Sequence, residues 1–262
     1  MKSVKVPAIY GLVTVLAGIT AESPHLIFFS MGLSLFIPAL LVLTARESSL
    51  TALLTSALSL ALLALYSLRA PLDVLPFQAM GAVFLKSFRK PELSVLTAAL
   101  LLFSAAVIEE AVAGLPPEFE KTLGQFRWGL YFATATLFGE AAYGITLLLL
   151  KKGELFFRMR FGFWPVPLFF IFGLGSLIGD GLYRLIAVNG LVAVLSIFTA
   201  QGIAVILHLV NRTAPLVRLL ILITVVIFPL GFLTGAMLLG FLDNWLDFRK
   251  LNGGGKDGSN FD

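Results

Sequence analysis

The sequence predicts an all-α fold: a polytopic transmembrane helix bundle with eight spans, nine being the alternative. Three observations lead to this prediction. Of the 262 residues, 58% are hydrophobic and 13% are charged, whereas soluble domains carry about 25% charged residues. The apolar residues stand in blocks of roughly bilayer length. They show no alternating barrel pattern, so the blocks are predicted to be helices, which satisfy their backbone polar groups internally.

Nine apolar segments follow one another along the chain, and two of them are doubtful as crossings. Segment 72–85 is short and contains Pro76, and segment 164–179 is short and rich in glycine. Residues 1–250 are predicted to form a single transmembrane domain, and 251–262 a disordered cytoplasmic tail, because the tail has nothing to bury. The nine segments are 4–20, 26–44, 49–68, 72–85, 93–113, 128–150, 164–179, 185–210 and 217–242.

Basic residues distinguish the two topologies, because cytoplasmic loops carry an excess of lysine and arginine. With nine crossings and the amino terminus inside, 12 of the 19 basic residues lie inside the cell. If segment 164–179 does not cross, 14 of the 19 basic residues lie inside the cell. We therefore expect eight crossings in the cell membrane, with both termini in the cytoplasm. Residues 151–163, which contain four basic side chains, are the strongest cytoplasmic marker.

The connection 115–127 predicts a short amphipathic helix on the membrane surface. Phe119, Leu123 and Phe126 recur at positions i, i+4 and i+7, with charged residues between them. This spacing places the apolar side chains on one face of a helix and the charges on the other. An interfacial helix is therefore expected before the span that begins near residue 128.

Three polar residues inside predicted spans are candidate ligand-binding residues, because polar groups at the bilayer centre are costly without a partner. Glu140 lies in the middle of segment 128–150. It is interpreted either as a ligand contact or proton site, or as a hydrogen bond to a neighbouring helix. In both cases its side chain should face other helices and have a partner. Asn189 and Gln201 lie in segment 185–210 and either contact a ligand or join helices.

Charged residues near the ends of segments supply two further predictions. Asp180 and Arg184 are four residues apart, so on a helix they share a face and can form an ion pair. Asp243 and Asp247 are also four apart, with Arg249 nearby to neutralise them. The carboxyl-terminal group is interpreted either as a solvated helix end or as a docking surface for a cytoplasmic partner.

The last apolar segment, 217–242, is predicted to kink or break at Pro229, which lacks a backbone donor and clashes with the preceding turn. Gly231 and Gly235 follow four residues apart, a spacing that allows close helix packing. We expect them to pack against segment 185–210, antiparallel to it.

Several classes of function are excluded or unsupported by the residues. The chain has no cysteine and two histidines, so neither a thiolate site nor another metal site is expected. No motif for a bound cofactor or for catalysis is found, including the phosphate-binding glycine loop with lysine. The basic residues lie in the connections between apolar blocks, where they meet lipid headgroups, and nucleic acid is therefore not an expected partner.

The carboxyl-terminal third resembles a known family. The residues concerned are Gln201-Gly202, the short basic loop around Arg212, and the run from Gly240 to Lys250, Gly-Phe-Leu-Asp-Asn-Trp-Leu-Asp-Phe-Arg-Lys. These features resemble the YybS-like family of polytopic membrane proteins, and the order of elements over residues 1–250 is similar as well.

That family is similar in general plan to the substrate-binding S components of energy-coupling factor vitamin transporters. The resemblance implies that a small molecule binds within the bundle. Because the chain carries no nucleotide-binding motif, separate partner subunits would supply the energy for transport. The alternative is a non-transporting scaffold in a multi-subunit membrane complex. Membrane lipids, a small solute, and membrane or cytoplasmic subunits are the expected partners.

Overall fold

The computed structural model describes residues 5–114 and 123–249, and all regular structure in these ranges is helical. The prediction of an all-α bundle is confirmed. The helices are α1 Lys5–Ala21, α2 Ile27–Ser34, α3 Ile37–Glu47, α4 Ser49–Tyr66, α5 Ala70–Ser87, α6 Pro91–Ala113, α7 Arg127–Leu149, α8 Pro165–Ile178, α9 Gly181–Asn211, α10 Pro215–Ile227 and α11 Pro229–Leu246. Short 3₁₀ turns occupy Gly124–Phe126 and Gly153–Arg158.

Five stretches of helix among the described residues are long and apolar enough to cross a membrane, or six if α10 and α11 form one bent span. The count of eight or nine spans therefore stays a prediction. Most of the predicted surface helix, and the whole predicted tail 251–262, lie outside the described residues. Leu123–Phe126, the described end of the surface segment, leads through its 3₁₀ turn directly into α7.

The chain divides into two compact units, and the prediction of a single domain is left untested by this division. Unit 1 falls within Met1–Leu115 and Thr134–Leu155, and unit 2 within Pro116–Ala133 and Phe156–Asp262. The core of unit 1 is built around α1, which packs on α2, α3, α4 and α5. Its fully buried side chains include Tyr10, Ile37, Leu63 and Val74.

Helix α4 in unit 1 shows how the apolar composition is used. Its buried residues are Ala52, Ser59 and Leu63, while Leu53 and Leu58 are more than 60% exposed. Soluble proteins rarely expose an apolar face of this size to water. Such a face is the expected surface of a helix that contacts lipid on one side and protein on the other.

The doubtful segment 72–85 is part of α5, a helix of 18 residues. Helices α5 and α6 lie side by side and antiparallel, because they are joined at both ends. At one end the guanidinium of Arg69 pairs with the carboxylate of Glu109. At the other end the hydroxyls of Ser87 and Ser94 are hydrogen-bonded at 2.8 Å. Pro76 lies inside the helix without ending it.

The second doubtful segment forms α8, which pairs with α9 in an antiparallel hairpin within unit 2. A Cβ added to Gly175 would lie 2.9 Å from the Cβ of Ala187, and one added to Gly190 would lie 2.7 Å from the ring of Phe172. Closer to the start of α8, Val166 belongs to the same core cluster as Val194. Segment 164–179 therefore runs along its neighbour over its whole length.

The starts of α7 and α9 are neighbours in unit 2. The backbone N–H of Gly129 donates to the side-chain oxygen of Asn189 at 2.6 Å. If segment 164–179 failed to cross, these two starts would lie on opposite sides of the membrane. The hydrogen bond is thus at odds with the expected assignment of the crossings, and it favours a segment 164–179 that does cross.

The break at Pro229 is confirmed. Helix α10 ends at Ile227, α11 begins at Pro229, and the chain turns by 115° between them. Proline fits the first turn of a helix because no backbone donor is needed there. Pro229, which lies inside the predicted segment 217–242, is therefore the first residue of a separate helix.

The predicted neighbour of α11 is correct, but the glycines that make the contact are different. Helix α11 packs closely against α9. A Cβ on Gly202 would overlap the carbonyl oxygen of Ala236, and one on Gly240 would overlap that of Phe198. A Cβ on Gly235 would meet nothing within 4 Å among the described residues. The spacing of small residues permits close packing but does not select the face, which here follows the aromatic core around Phe198.

Candidate functional site

The carboxylate of Asp243 in unit 2 is buried and hydrogen-bonded. It lies near the end of α11 and accepts from Arg249 Nη2 at 2.5 Å and from Gln201 Nε2 at 3.1 Å on one oxygen. The backbone N–H of Phe248 donates to the other oxygen at 3.1 Å. The side chains of Asp243 and Arg249 are both 0% exposed. A buried ion pair of this kind needs such additional hydrogen bonds to offset the loss of hydration.

The same network connects three separate segments of unit 2. Arg249 Nη1 donates to the carbonyl oxygens of Phe157 and Met159 at 2.9 and 2.7 Å. The side-chain oxygen of Gln201, in α9, accepts from the backbone N–H of Phe161 at 3.2 Å. The connection that precedes α8, the middle of α9 and the end of α11 are therefore held together by polar groups.

At the edge of the network, Arg160 closes the end of α11. Its Nη2 donates to the carbonyl oxygens of Asp243 and Asn244 at 3.3 and 3.4 Å, and its Nη1 lies 3.7 Å from Asp247 Oδ1. Cations bonded to the last carbonyls of a helix interact favourably with its dipole. Two arginines thus balance two aspartates at this end of unit 2.

Asp243 and Arg249 are buried, which agrees neither with a solvated helix end nor with a docking surface at these two residues, while docking at Asp247 stays a prediction. Asp243 and Arg249 form a buried ion pair, so the charge of neither is accessible to a partner. Asp247 has φ 41° and ψ 58°, a left-handed conformation that ends the helix. The two carboxylates therefore do not share a helix face. The expectation that Arg249 neutralises Asp243 is confirmed.

Asn189 joins elements of unit 2. Its side-chain amide accepts from Gly129 N at 2.6 Å and donates to the carbonyl oxygens of Gln125 and Leu185 at 2.7 and 2.8 Å. A cavity of about 300 Å³ lies beside this contact, lined by Gly124, Gln125, Arg127, Trp128 and Leu185. Asn189 shapes this region by holding Gln125, and its own amide is already occupied. Asn189 and Gln201 are interpreted from the sequence either as ligand contacts or as residues that join helices. Their hydrogen bonds in the structure join segments of unit 2.

Glu140, in unit 1, is buried but has no hydrogen-bond partner among the described residues, unlike Asp243. It is 3% exposed, so the prediction that it turns away from lipid is confirmed. The predicted hydrogen bond is wrong: neither carboxylate oxygen has a partner among the described residues. Next to Glu140 on the helix, α7 packs closely on apolar residues of α6. A Cβ on the adjacent Gly139 would touch Ala98 at 3.0 Å and the carbonyl of Val95 at 3.3 Å.

A second unsatisfied polar group occurs in the same unit, and the sequence did not single it out. Gln78 in α5 is 5% exposed, and its amide nitrogen is buried without a partner among the described residues. A glutamine two residues beyond Pro76 has no distinctive spacing, so its burial could not be foreseen. Buried polar groups are nearly always hydrogen-bonded, so Gln78 joins Glu140 as an exception among the described residues of unit 1.

The predicted ion pair of Asp180 and Arg184 is not formed. Asp180 has φ −119° and ψ 156° and stands before the first turn of α9, so the spacing of four does not bring its side chain beside Arg184. Both residues are exposed. The described residues also contain no group of three or more side chains able to hold a metal ion.

Comparisons with known proteins add nothing to these observations: no protein-family model, no curated protein and no solved structure matches the chain.

Proposed function

We propose that the chain is a membrane-embedded binding subunit for a small solute and works with separate energising subunits. The observation that carries this proposal is Glu140, a carboxyl group buried in unit 1 with neither oxygen bonded to a described residue. An ionisable residue within a membrane segment is by default a candidate functional residue. A buried polar group without a partner costs about 1–3 kcal/mol.

The chemistry of Glu140 indicates which solute would suit it. A carboxyl group offers two acceptor oxygens and, when protonated, one donor. A solute that carries hydroxyl, amide or amine groups would supply the hydrogen bonds that the described residues do not. The resemblance to S components is in keeping with a solute bound within the bundle.

Native mass spectrometry after mild detergent extraction tests this proposal. The wild type is expected to release a small molecule that Glu140→Met does not retain. The matched control is Thr146→Val on the same helix, because the Thr146 hydroxyl bonds only within α7, to Ala142 O at 2.7 Å. If Glu140→Met carries the same molecule at the same occupancy as the control, Glu140 does not bind it. If the wild type carries none, the solute-binding role loses its support.

One observation favours the alternative role as a scaffold. A Cβ on Gly235 would meet open space, and Gly231 is exposed on the same face of α11. Such a face accepts a helix of another subunit. In the cysteine-free chain, Gly235→Cys should form specific cross-links to a partner, whereas Leu58→Cys on the exposed face of α4 should not. Equal cross-linking of both would argue against the scaffold.

We further propose a plasma-membrane topology with eight crossings and both termini in the cytoplasm, in which segment 164–179 crosses and α10–α11 enters and leaves on the same side. Two contacts support the return of the chain: the ring of Phe157 lies 5.9 Å from that of His208, near the end of α9, and Arg249 bonds the carbonyl of Phe157. This topology places 15 of the 19 basic residues inside.

Cysteine labelling of whole cells separates the topologies. A maleimide that does not cross the membrane should label Tyr183→Cys and leave Lys152→Cys and Ser259→Cys unlabelled until the cells are opened. Protection of Tyr183→Cys would mean that segment 164–179 does not cross. Labelling of Ser259→Cys in intact cells would make α10–α11 a complete crossing.

A further inference from the structure

Three cationic side chains of unit 1 surround the ring of Phe88. The guanidinium carbons of Arg46 and Arg89 lie 5.3 and 5.7 Å from the ring centre, and the ammonium nitrogen of Lys152 lies 5.5 Å from it. The three come from three different connections: the end of α3, the turn between α5 and α6, and the turn after α7. We call Arg46, Phe88, Arg89 and Lys152 the Phe88 cluster.

The backbone that carries the ring at the centre of the Phe88 cluster is held in place. The hydroxyl of Tyr143, a side chain that is itself fully buried, donates to the carbonyl oxygen of Phe88 at 2.6 Å. The preceding residue, Ser87, is bonded through its hydroxyl to Ser94 at 2.8 Å, and the Ser94 hydroxyl also bonds Ser87 O at 2.8 Å. The turn between α5 and α6 is therefore a fixed platform for the cations around it.

The cations of the Phe88 cluster are not paired with acidic side chains among the described residues, although Glu92 lies close enough to interact with Tyr143. None of the three forms a salt bridge with any aspartate or glutamate in the described ranges, and all three are exposed. Because they lie 5.3, 5.7 and 5.5 Å from one ring centre, any two are at most about 11 Å apart. The Debye length is about 8 Å at physiological ionic strength, so salt weakens their repulsion without removing it. Cation–π attraction offsets part of that repulsion. An anion bound among them would offset the rest.

Apolar side chains adjoin the Phe88 cluster on the exposed surface of the same unit. Leu148 is 70% exposed just before Lys152, and Leu50 is 65% exposed just after Arg46. A soluble anion would gain nothing from these leucines, whereas a lipid would lay its acyl chains against them. Basic sites between membrane helices on the cytoplasmic side are suited to acidic headgroups.

We propose that the Phe88 cluster binds the phosphate of an anionic phospholipid headgroup. Each cation near the membrane surface contributes about fivefold to such binding, so three together contribute on the order of 100-fold. This inference does not depend on the proposed solute binding, because it uses none of the residues around Glu140.

The test compares the triple variant Arg46→Gln, Arg89→Gln, Lys152→Gln with a control of equal charge, Arg158→Gln, Arg184→Gln, Arg212→Gln. The control residues are exposed and lie in unit 2. Each protein is reconstituted with phosphatidylglycerol or phosphatidylcholine, and retained lipid is measured by native mass spectrometry. The wild type and the control should retain phosphatidylglycerol in preference. The triple variant should bind it on the order of 100-fold more weakly and phosphatidylcholine unchanged.

Three results would overturn the proposal. The first is an equal loss of phosphatidylglycerol by the triple variant and the control, which would mean that only total charge matters. The second is a wild type without preference for phosphatidylglycerol, which would mean that no headgroup site exists. The third is displacement of the lipid by millimolar inorganic phosphate, which would make the cluster a site for free phosphate. Circular dichroism of each variant confirms that the helices are intact before binding is compared.

Discussion

Two buried carboxyl groups, one in each unit, differ in every other respect. Asp243 in unit 2 accepts hydrogen bonds from Arg249, Gln201 and Phe248. Glu140 in unit 1 accepts none from any described residue. A buried charge is tolerated where it is paired and hydrogen-bonded, and it is costly elsewhere. Burial alone therefore does not identify a functional acid. Asp243 holds unit 2 together, whereas Glu140 is the acid on which the proposed solute binding depends.

Loss of the Asp243 carboxylate should have the greatest consequence for stability. Asp243→Asn leaves the guanidinium of Arg249 buried without a counter-charge, a change that costs about 3–5 kcal/mol. The free energy of unfolding in mild detergent measures it. Asp180→Asn, an exposed acid without an ion pair, should change that free energy by less than about 0.5 kcal/mol. Equal effects of the two substitutions would show that the buried network is not what stabilises unit 2.

The contact between α9 and α11 should be nearly as sensitive. Gly202→Ala places a methyl group on the carbonyl oxygen of Ala236, where backbone must move, and should cost at least about 1–3 kcal/mol. Gly235→Ala adds the same methyl group in open space and should be neutral or slightly stabilising, because alanine favours helix. Thermal unfolding of both variants checks this, and the opposite order would contradict the observed packing face.

A smaller effect is expected from the joint between α7 and α9. Asn189→Ala removes the acceptor of Gly129 N and the donor to Gln125 O, which should cost about 1–2 kcal/mol. Asn211→Ala, at the exposed end of α9, is the control. Hydrogen exchange at the Gly129 amide should also accelerate in the first variant alone. Unchanged protection of that amide would mean that this hydrogen bond does not hold the starts of the helices together.

The sequence predicted the helices well because apolar block length and proline position act locally. The break at Pro229 and the burial of Glu140 follow from the residues themselves. The partners of Asp243 do not, because Gln201 lies 42 residues away and Phe157 lies 92 residues before Arg249. Spacing within one helix suggested that Asp243 and Asp247 share a face, and the left-handed turn at Asp247 removed that relation.

The glycines teach the same lesson about the candidate site. Gly231 and Gly235 have the spacing of a packing motif, yet Gly202 and Gly240 make the close contact, because a helix face is chosen by its neighbour. In the same way, nothing in the sequence around Glu140 shows that its carboxylate finds no hydrogen-bond partner among the described residues. What a buried acid contacts is a tertiary property, and it was this property that separated the two acids.

The most direct measurement compares Glu140→Met with Asp243→Leu in the same solute-free preparation. Both substitutions replace a buried acid by an apolar side chain. Glu140→Met should raise the free energy of unfolding by about 1–3 kcal/mol, because it removes an unsatisfied polar group. Asp243→Leu should lower it, because it strands the charge of Arg249. If Glu140→Met destabilises the protein as much as Asp243→Leu does, Glu140 is a structural residue and the distinction between the two acids fails.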